Sequence, residues 1–192
     1  MTKEKIEETI AESMALKNTL PSDLINAACN LIIDCYKKGK KVLVCGNGGS
    51  AADAQHMAGE LINKFKIDRA PLPCLALTTD TSVITAIGND FGYEHVFKKQ
   101  VEALGQEGDI LVAISTSGNS INVVRAIEAA KEKGIKVLGL LGRDGGKIAK
   151  MCNLSIIIKS NNTPRIQESH ILIIHIICEI VENWMVNKNK GS

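Results

Sequence analysis

Aromatic residues and net charge are scarce in this sequence. Its 192 residues include one Trp, two Tyr and three Phe, and 23 Lys and Arg are nearly balanced by 21 Asp and Glu. With so few aromatic side chains, a core must be built mainly from Ile, Leu, Val and Ala. A net charge of +2 is too small for the sequence-independent attraction to phosphate backbones that nucleic-acid-binding proteins use. We therefore expect no nucleic acid partner.

An uninterrupted apolar run of membrane-spanning length is also missing. The most apolar stretch, residues 171–180, contains His175 and Glu179 and has about half the length that a bilayer requires. The N-terminal segment is charged and amphipathic and lacks the apolar region of an export signal. The six cysteines form no CxxC pair and are expected to act as small hydrophobic residues in a reducing compartment. These absences predict a cytoplasmic protein without a membrane partner, with residues 171–180 in a buried helix.

Short apolar runs alternate with helical patterns along most of the chain. The apolar runs occur five times, and patterns of helical period lie between them. This alternation favours parallel strands joined by right-handed helical crossovers. We therefore predict an α/β fold, a doubly wound parallel five-stranded sheet of the flavodoxin-like type with helices on both faces. The predicted strands fall near residues 40–45, 74–77, 110–114, 137–141 and 156–158, and the predicted helices near 51–65, 93–104, 121–133, 146–151 and 164–186.

Two further helices are predicted ahead of the first strand. Apolar residues recur at helical spacing in residues 2–20, and Pro21 precedes a second helix that ends at Gly39. We divide the chain into residues 1–36, two N-terminal helices packed on the domain, and residues 37–192, the α/β domain. The amphipathic first helix is either an oligomer interface or a helix packed on its own sheet.

A glycine-rich loop, GNGGSA at residues 46–51, joins the first predicted strand to the next helix. Its glycines let backbone amides approach an anion, and Ser50 lies at the helix N-terminus, where the dipole favours negative charge. The loop also fits the GxGxxA dinucleotide pattern. That pattern requires an acidic residue about 20 residues on, whereas Asp80, the candidate at a strand end, comes later. A phosphate-binding loop, a dinucleotide fingerprint and a tight turn without a ligand therefore stay open.

A second loop, STSGNS at residues 115–120, also joins a predicted strand to a helix. Hydroxyl side chains and free backbone amides at a helix start suit a phosphate monoester without any lysine. Helix capping by a serine is the alternative interpretation, but it explains one hydroxyl rather than several. The loop therefore predicts a phosphate site, and its hydroxyl side chains are those of Ser115, Thr116, Ser117 and Ser120.

Two histidines are candidates for proton transfer or metal binding. His56 and Glu60 are four residues apart on a predicted helix, a spacing that allows two side chains to bind one ion. Surface pairs of this kind also arise by chance. His175 lies in the aliphatic stretch ILIIHIICEI, where an unpaired imidazole would be costly to bury. It is either a core histidine hydrogen-bonded to a neighbour or a ligand or general acid facing a polar cavity.

Four segments together resemble the sugar isomerase (SIS) domain family and, more closely, its phosphoheptose isomerases. They are CGNGGSAADAQHMAGEL, TAIGNDFG, ISTSGNS and RIQESHILIIH, in that order along the chain. The resemblance covers nearly the whole chain and implies the SIS fold. It also implies an aldose–ketose isomerase that interconverts sedoheptulose 7-phosphate and D-glycero-D-manno-heptose 7-phosphate through an enediol(ate). That reaction is the first step of ADP- or GDP-heptose synthesis for surface polysaccharide.

The resemblance also implies roles for individual residues. One zinc ion per subunit and no nucleotide cofactor are implied, and Glu60 and His175 match the pair that carries out acid and base catalysis. Pro164 departs from the pattern, because some members carry an acidic residue there. The implied zinc ligands are His56, Glu60, Gln167 and His175, and the implied substrate contacts are Asn47, Gly48, Gly49, Glu60, Asn89, Asp90, Ser115, Thr116, Ser117, Ser120 and Gln167, to which the loop analysis adds Ser50.

The spacing of two implied ligands points to more than one chain. Gln167 and His175 are eight residues apart, and on one helix the rise of about 12 Å is near the limit for binding one ion together. Either the helix is irregular at its start, or the site draws on two chains. We therefore expect a homo-oligomer with active sites at subunit interfaces, and the resemblance implies a tetramer.

Other functions are compatible with parts of the sequence. A non-catalytic SIS relative that binds a replication initiator or senses a phosphosugar would keep the hydroxyl loop without needing Glu60 and His175. A dinucleotide-dependent oxidoreductase depends on GxGxxA alone. Another ketose phosphate is an alternative substrate, because sugar length is recognised by contacts that the sequence does not display.

Overall fold

The computed structural model describes residues 2–190, which form a three-layer α/β structure. A short 3₁₀ turn, Tyr93–His95, is present in addition to the regular elements. The elements in chain order are α1 (Thr2–Lys17), α2 (Ser22–Lys37), β1 (Val42–Cys45), α3 (Gly49–Ile62), β2 (Cys74–Ala76), α4 (Thr81–Phe91), α5 (Val96–Leu104), β3 (Ile110–Ser115), α6 (Ile121–Glu132), β4 (Lys136–Gly142), α7 (Gly146–Ala149), β5 (Leu154–Ile158) and α8 (Thr163–Lys190).

The five strands form one parallel sheet in the order β2-β1-β3-β4-β5. Side chains alternate between its faces, as the pleat requires. In β1, Val42 and Val44 pack with α2, α3 and α8, whereas Leu43 and Cys45 pack with α5, α6 and α7 on the other face. Burial on both faces explains why the strands are continuous apolar runs. The predicted doubly wound sheet is confirmed.

One helix was missed by the sequence analysis. α4 has the sequence TSVITAIGNDF, in which β-branched residues weaken helix propensity, and none of its residues is buried. Its start is fixed by Asp80, whose carboxylate accepts a hydrogen bond from Val83 N at 3.0 Å. Its end is fixed by Gly92, which has φ of 93°. Asp80, considered above as the acidic residue of the dinucleotide pattern, therefore has a local role as a helix cap.

The first two helices differ in how they attach to the rest of the chain. α2 buries Ile25, Ile32 and other apolar residues in the same cluster as α8. α1 has no buried residue, and its C-terminal half is joined to the start of α8 by polar contacts, among them Ser13 Oγ to Glu168 at 2.7 Å. The division of the chain at residue 37 stays a prediction.

α8 is the central apolar helix of one face. By length and composition it could cross a bilayer, but core helices of the same length and composition are common. Ile173, Ile174 and Ile177 are fully buried in the core, so the helix predicted at residues 171–180 is confirmed and one of its faces is buried, whereas Ile180 is exposed. Five cysteines are also buried and the sixth is half-buried, all as free thiols. Burial raises the pKa of Cys45 to about 12, so this thiol is inert at neutral pH.

Candidate active site

The two predicted ligand loops meet at the carboxyl ends of β1 and β3, where open parallel sheets bind ligands. A pair of amides joins them. Asn47 Nδ2 donates to Asn122 Oδ1 at 2.9 Å, and Asn122 Nδ2 donates to Asn47 Oδ1 at 2.8 Å. Asn122, which is 3% exposed, was not identified from the sequence, because its partner is 75 residues away. The pair fixes the two loops relative to each other.

Two glycines of the first loop are required for different structural reasons. Gly48 has φ of 54° and ψ of −121°, a conformation that side chains strongly disfavour. Gly49 lies directly against the side-chain amide of Gln167, and any Cβ at this position would overlap that amide. Ser50 lies in the first turn of α3, as predicted, and is buried there. The loop therefore brings backbone amides and Gln167 of α8 to one place.

The second loop brings its hydroxyl groups together. Ser115 Oγ lies 3.1 Å from Ser120 Oγ and 3.4 Å from Ser117 Oγ. Ser120 is the N-cap residue of α6, yet its side chain makes no capping hydrogen bond. The capping interpretation is therefore wrong for Ser120. Three hydroxyl groups and the start of a helix instead form a cluster that suits the oxygens of a phosphate, with Thr116 half-buried beside them.

The predicted contacts Asn89 and Asp90 lie at the end of α4. Both are exposed, and Asn89 Nδ2 donates to Asp90 Oδ1 at 2.8 Å. Tyr93, a few residues further on, donates its hydroxyl hydrogen to Asn47 Oδ1 at 3.3 Å. This contact places the end of α4 beside the first loop. Tyr93 was not identified from the sequence, since an isolated tyrosine carries no local signal.

His56, Glu60 and His175 form one compact group. His56 Nε2 lies 3.1 Å from Glu60 Oε1 and 3.1 Å from His175 Nε2. One ligand atom from each residue lies within 4.8 Å of those of the other two. The group is accessible, with His56 exposed and the other two side chains half-buried. His175 is therefore half-buried rather than in the core, and its imidazole contacts the predicted pair on α3.

Two nitrogens and one carboxylate oxygen are a donor set that suits zinc. Zinc binds such atoms at about 2.0–2.2 Å, so neighbouring donors of a tetrahedral site lie about 3.3 Å apart. The two 3.1 Å separations in this group are close to that value. The donor atoms of all three residues lie within 4.8 Å of one another, so His56, Glu60 and His175 are a donor set that suits a divalent metal.

Gln167 does not lie with this group. α3 and α8 pack side by side in the same direction, since Gly49 contacts Gln167 and His56 contacts His175. The structure therefore separates Gln167 from the His175 level by about 12 Å along α8. α8 is one unbroken α-helix from Thr163, so the irregular helix considered above is wrong. Pro164 occupies its first turn, where a proline is tolerated.

Two polar groups near α8 and α3 were also missed. Asp53 lies on α3, and its Oδ2 is buried without a hydrogen-bond partner. Burial raises the pKa of Asp53 to about 6, against a smaller lowering by His56. His170 is fully buried, its Nε2 lies 3.1 Å from Leu141 O, and its Nδ1 has no partner. Burial lowers the pKa of His170 to about 4, so its imidazole is neutral at pH 7.

Comparisons with known proteins identify the family of this chain. The SIS domain family profile matches residues 7–142. Phosphoheptose isomerase of Aneurinibacillus thermoaerophilus is 53% identical over 182 residues, covering 92% of both chains. Phosphoheptose isomerase of Campylobacter concisus is 54% identical, covering 92% of this chain and 90% of its own. The structure of phosphoheptose isomerase from Neisseria gonorrhoeae matches with a TM-score of 0.89 and 46% identity, covering 95% of this chain and 100% of its own. The chain belongs to the SIS domain family and, within it, to the phosphoheptose isomerases.

Proposed function

We propose that this chain interconverts sedoheptulose 7-phosphate and D-glycero-D-manno-heptose 7-phosphate. The observation that carries the proposal is the meeting of His56, Glu60 and His175 within 4.8 Å in a chain of this family. A regulator that only binds a phosphosugar needs the hydroxyl loop but no proton-transfer group. Because Glu60 and His175 lie in the same group, the enzyme is favoured over the regulator.

The reaction requires a proton to move between adjacent carbons through an enediol(ate). Glu60 is the candidate base, because its carboxylate is half-buried and lies beside His56 and His175 in a group that is accessible from outside. His175 is the candidate acid that protonates or holds the substrate oxygen as charge develops on it. Glu60 acts both on the substrate and as a metal ligand in this proposal.

The resident metal in this proposal is zinc, one ion per subunit. His56, Glu60 and His175 would hold it, with Gln167 from a second copy of the chain as the fourth ligand. When bound there, zinc would polarise the substrate carbonyl. Two imidazoles and a carboxylate that meet within 4.8 Å support this assignment.

The remaining site residues are assigned to substrate binding. The hydroxyl loop would bind the phosphate by hydrogen bonds rather than by ion pairs, since its side chains are neutral. The sugar hydroxyl groups would be bound by amides and carboxylates at the ends of α3 and α4. The phosphate contacts are Ser115, Thr116, Ser117 and Ser120, and the sugar contacts are Asn47, Gly48, Gly49, Ser50, Glu60, Asn89, Asp90 and Gln167.

We infer a homo-oligomer, most simply a tetramer, with active sites at subunit interfaces. The distance between Gln167 and the histidines is one support for this inference. The other is α1, whose Ile6, Ile10 and Met14 are each more than half exposed. Such a stripe is typical of a protein–protein contact. The assembly would act in the cytoplasm on a heptose phosphate destined for surface polysaccharide.

The test is isomerisation of sedoheptulose 7-phosphate followed by NMR. We expect turnover with zinc, loss of turnover with a strong chelator, and a decrease of about 100-fold or more in Glu60→Gln. Glu128→Gln, an exposed carboxylate of α6 that pairs with Arg125, is the control and should retain activity. A folded oligomer that binds the sugar phosphate but shows no turnover with any metal would contradict the proposal and favour the regulator.

A further inference from the structure

Glu182 is a buried carboxylate outside the residues already assigned to the site. Its side chain is 2% exposed, and it lies on α8 seven residues after His175, on the same face of the helix. It accepts three backbone hydrogen bonds from the segment after α3, at 2.7 Å from Phe65 N, 2.7 Å from Lys66 N and 2.9 Å from Ile67 N. Glu182 therefore holds the chain that leaves α3.

Arg69 completes this contact from the same segment. Its side chain is 1% exposed, and its Nε lies 3.5 Å from Glu182 Oε1. Its guanidinium donates to backbone carbonyls at the end of α3, at 2.9 Å to Glu60 O and 2.7 Å to Leu61 O. The last carbonyls of a helix have no partner within the helix and favour a positive charge. Arg69 therefore fixes the last turn of α3, which carries Glu60.

The contact between Glu182 and the segment after α3 also places Phe65 next to His175. Phe65, whose backbone N–H is held by Glu182, places its ring 5.5 Å from the imidazole of His175. The pair thus joins the helix end that carries Glu60 to the helix that carries His175. Burial alone would raise the pKa of Glu182, but the three N–H donors and Arg69 hold it below its usual value. Glu182 is therefore ionised at neutral pH, as an ion pair with Arg69 requires.

We propose that Arg69 and Glu182 are positioning residues that set the separation of Glu60 and His175. Buried ion pairs add little net stability compared with apolar replacements, so stability alone does not account for this one. A pair that holds two functional helix segments in one geometry does. The proposal rests on the function proposed above in two respects, namely that Glu60 and His175 act together and that both bind zinc.

The experiment compares Glu182→Gln with Asp109→Asn at a temperature at which both are folded. Asp109 is a matched control, because it is 1% exposed and also accepts backbone hydrogen bonds, from Lys41 N and Gln106 N, and pairs with Lys41 Nζ. It precedes β3, at the opposite end of the sheet from the site. The measurements are zinc affinity of the metal-free protein by calorimetric titration, kcat, KM and Tm.

We expect Glu182→Gln to weaken zinc binding about tenfold, as loss of outer-shell support does at metal sites, and to lower kcat more than it raises KM. Asp109→Asn should lower Tm without changing zinc affinity, kcat or KM. Arg69→Lys should retain part of the zinc affinity, because an ammonium can still donate to one or two of the carbonyls.

Unchanged zinc affinity in folded Glu182→Gln would overturn the proposal, and so would an equal loss in Asp109→Asn. If Glu182→Gln does not fold, the same comparison is made with Arg69→Lys, and zinc affinity equal to that of the unaltered chain would overturn it. Absence of isomerase activity in the unaltered chain contradicts the proposed function alone, because zinc affinity still reports whether the pair positions the three ligands.

Discussion

Asp53, on α3, carries a carboxyl group whose ionisation destabilises the folded protein. Its Oδ2 is buried without a partner, and its pKa is raised to about 6. A folded-state pKa above the usual value means that ionisation is harder in the folded state than in the unfolded chain. The folded protein therefore loses stability as the pH rises from about 4 through about 6.

We expect Asp53→Asn to stabilise the metal-free protein at pH 8 by about 1 kcal/mol, a value reduced because the carboxyl group is partly exposed. The gain should disappear at pH 4, where the acid is neutral in both states. Chemical denaturation at the two pH values measures it. Asp34→Asn, an exposed position paired with Lys37, is the control and should change stability by a few tenths of a kcal/mol. An Asp53→Asn variant less stable at pH 8 than the unaltered chain would contradict this account.

His170 has the opposite pH dependence in the acid range. Its pKa is lowered to about 4 by burial, so the folded state favours the neutral ring. Its contribution is complete above about pH 6.5 and is lost as the pH falls towards 4, with a total of about 3 kcal/mol. In His170→Gln, the amide can still donate to Leu141 O but does not titrate. Denaturation curves from pH 7 to 4.5 should therefore fall less steeply for this variant, and equal slopes would rule out His170 as the cause.

The site residues that could be predicted from the sequence have their partners nearby along the chain, whereas the residues that were missed have distant partners. The hydroxyl groups of the second loop fall within residues 115–120, and His56 and Glu60 are one helical turn apart, so local spacing was enough. Asn122 and Glu182 act through partners more than 70 residues away. No local pattern marks such residues, because the contact exists only after the sheet and helices have packed.

At the scale of elements, the strands and most helices followed from periodicity and turn residues. α4 did not, since its β-branched residues and lack of burial remove both the propensity and the packing signals of a helix. Its helical state instead depends on Asp80 at its start and on packing of its half-buried residues. An exposed helix with a single side-chain cap is a candidate for local opening.

Because α4 carries Asn89 and Asp90, its opening should affect substrate binding. We expect Asp80→Ala to weaken the helix by about 1 kcal/mol and to raise KM several-fold, with a smaller effect on kcat. Hydrogen exchange should accelerate in α4 and stay unchanged in β3. Asp80→Asn, which retains an N-cap acceptor, is the matched control and should keep most of the protection. Equal exchange in α4 of Asp80→Ala and the unaltered chain would show that the cap does not control this helix.

At the scale of the whole molecule, the parallel packing of α3 and α8 has a consequence for assembly. It places Gln167 beside Gly49 and His175 beside His56. These two contacts lie at different levels along the packed helices of one chain. Within one chain, Gln167 is therefore separated from the group formed by His56, Glu60 and His175. If all four residues bind one ion, Gln167 must come from another copy of the chain. Two chains that exchange Gln167 in this way then form two such sites.

Mixed oligomers test this arrangement. Gln167→Ala and His175→Ala should each be inactive alone, but a mixed pair contains one site with Gln167 from one chain and an intact His56, Glu60 and His175 from the other. After subunits are mixed equally and exchanged, half of the pairs are mixed and one of two sites in each is intact, so about a quarter of the activity should return. A mixture of Glu60→Gln and His175→Ala should stay inactive, because both changes fall on the group that a single chain supplies. Failure of the first mixture to recover activity, with mixed oligomers verified by mass spectrometry, would mean that each chain supplies its complete site.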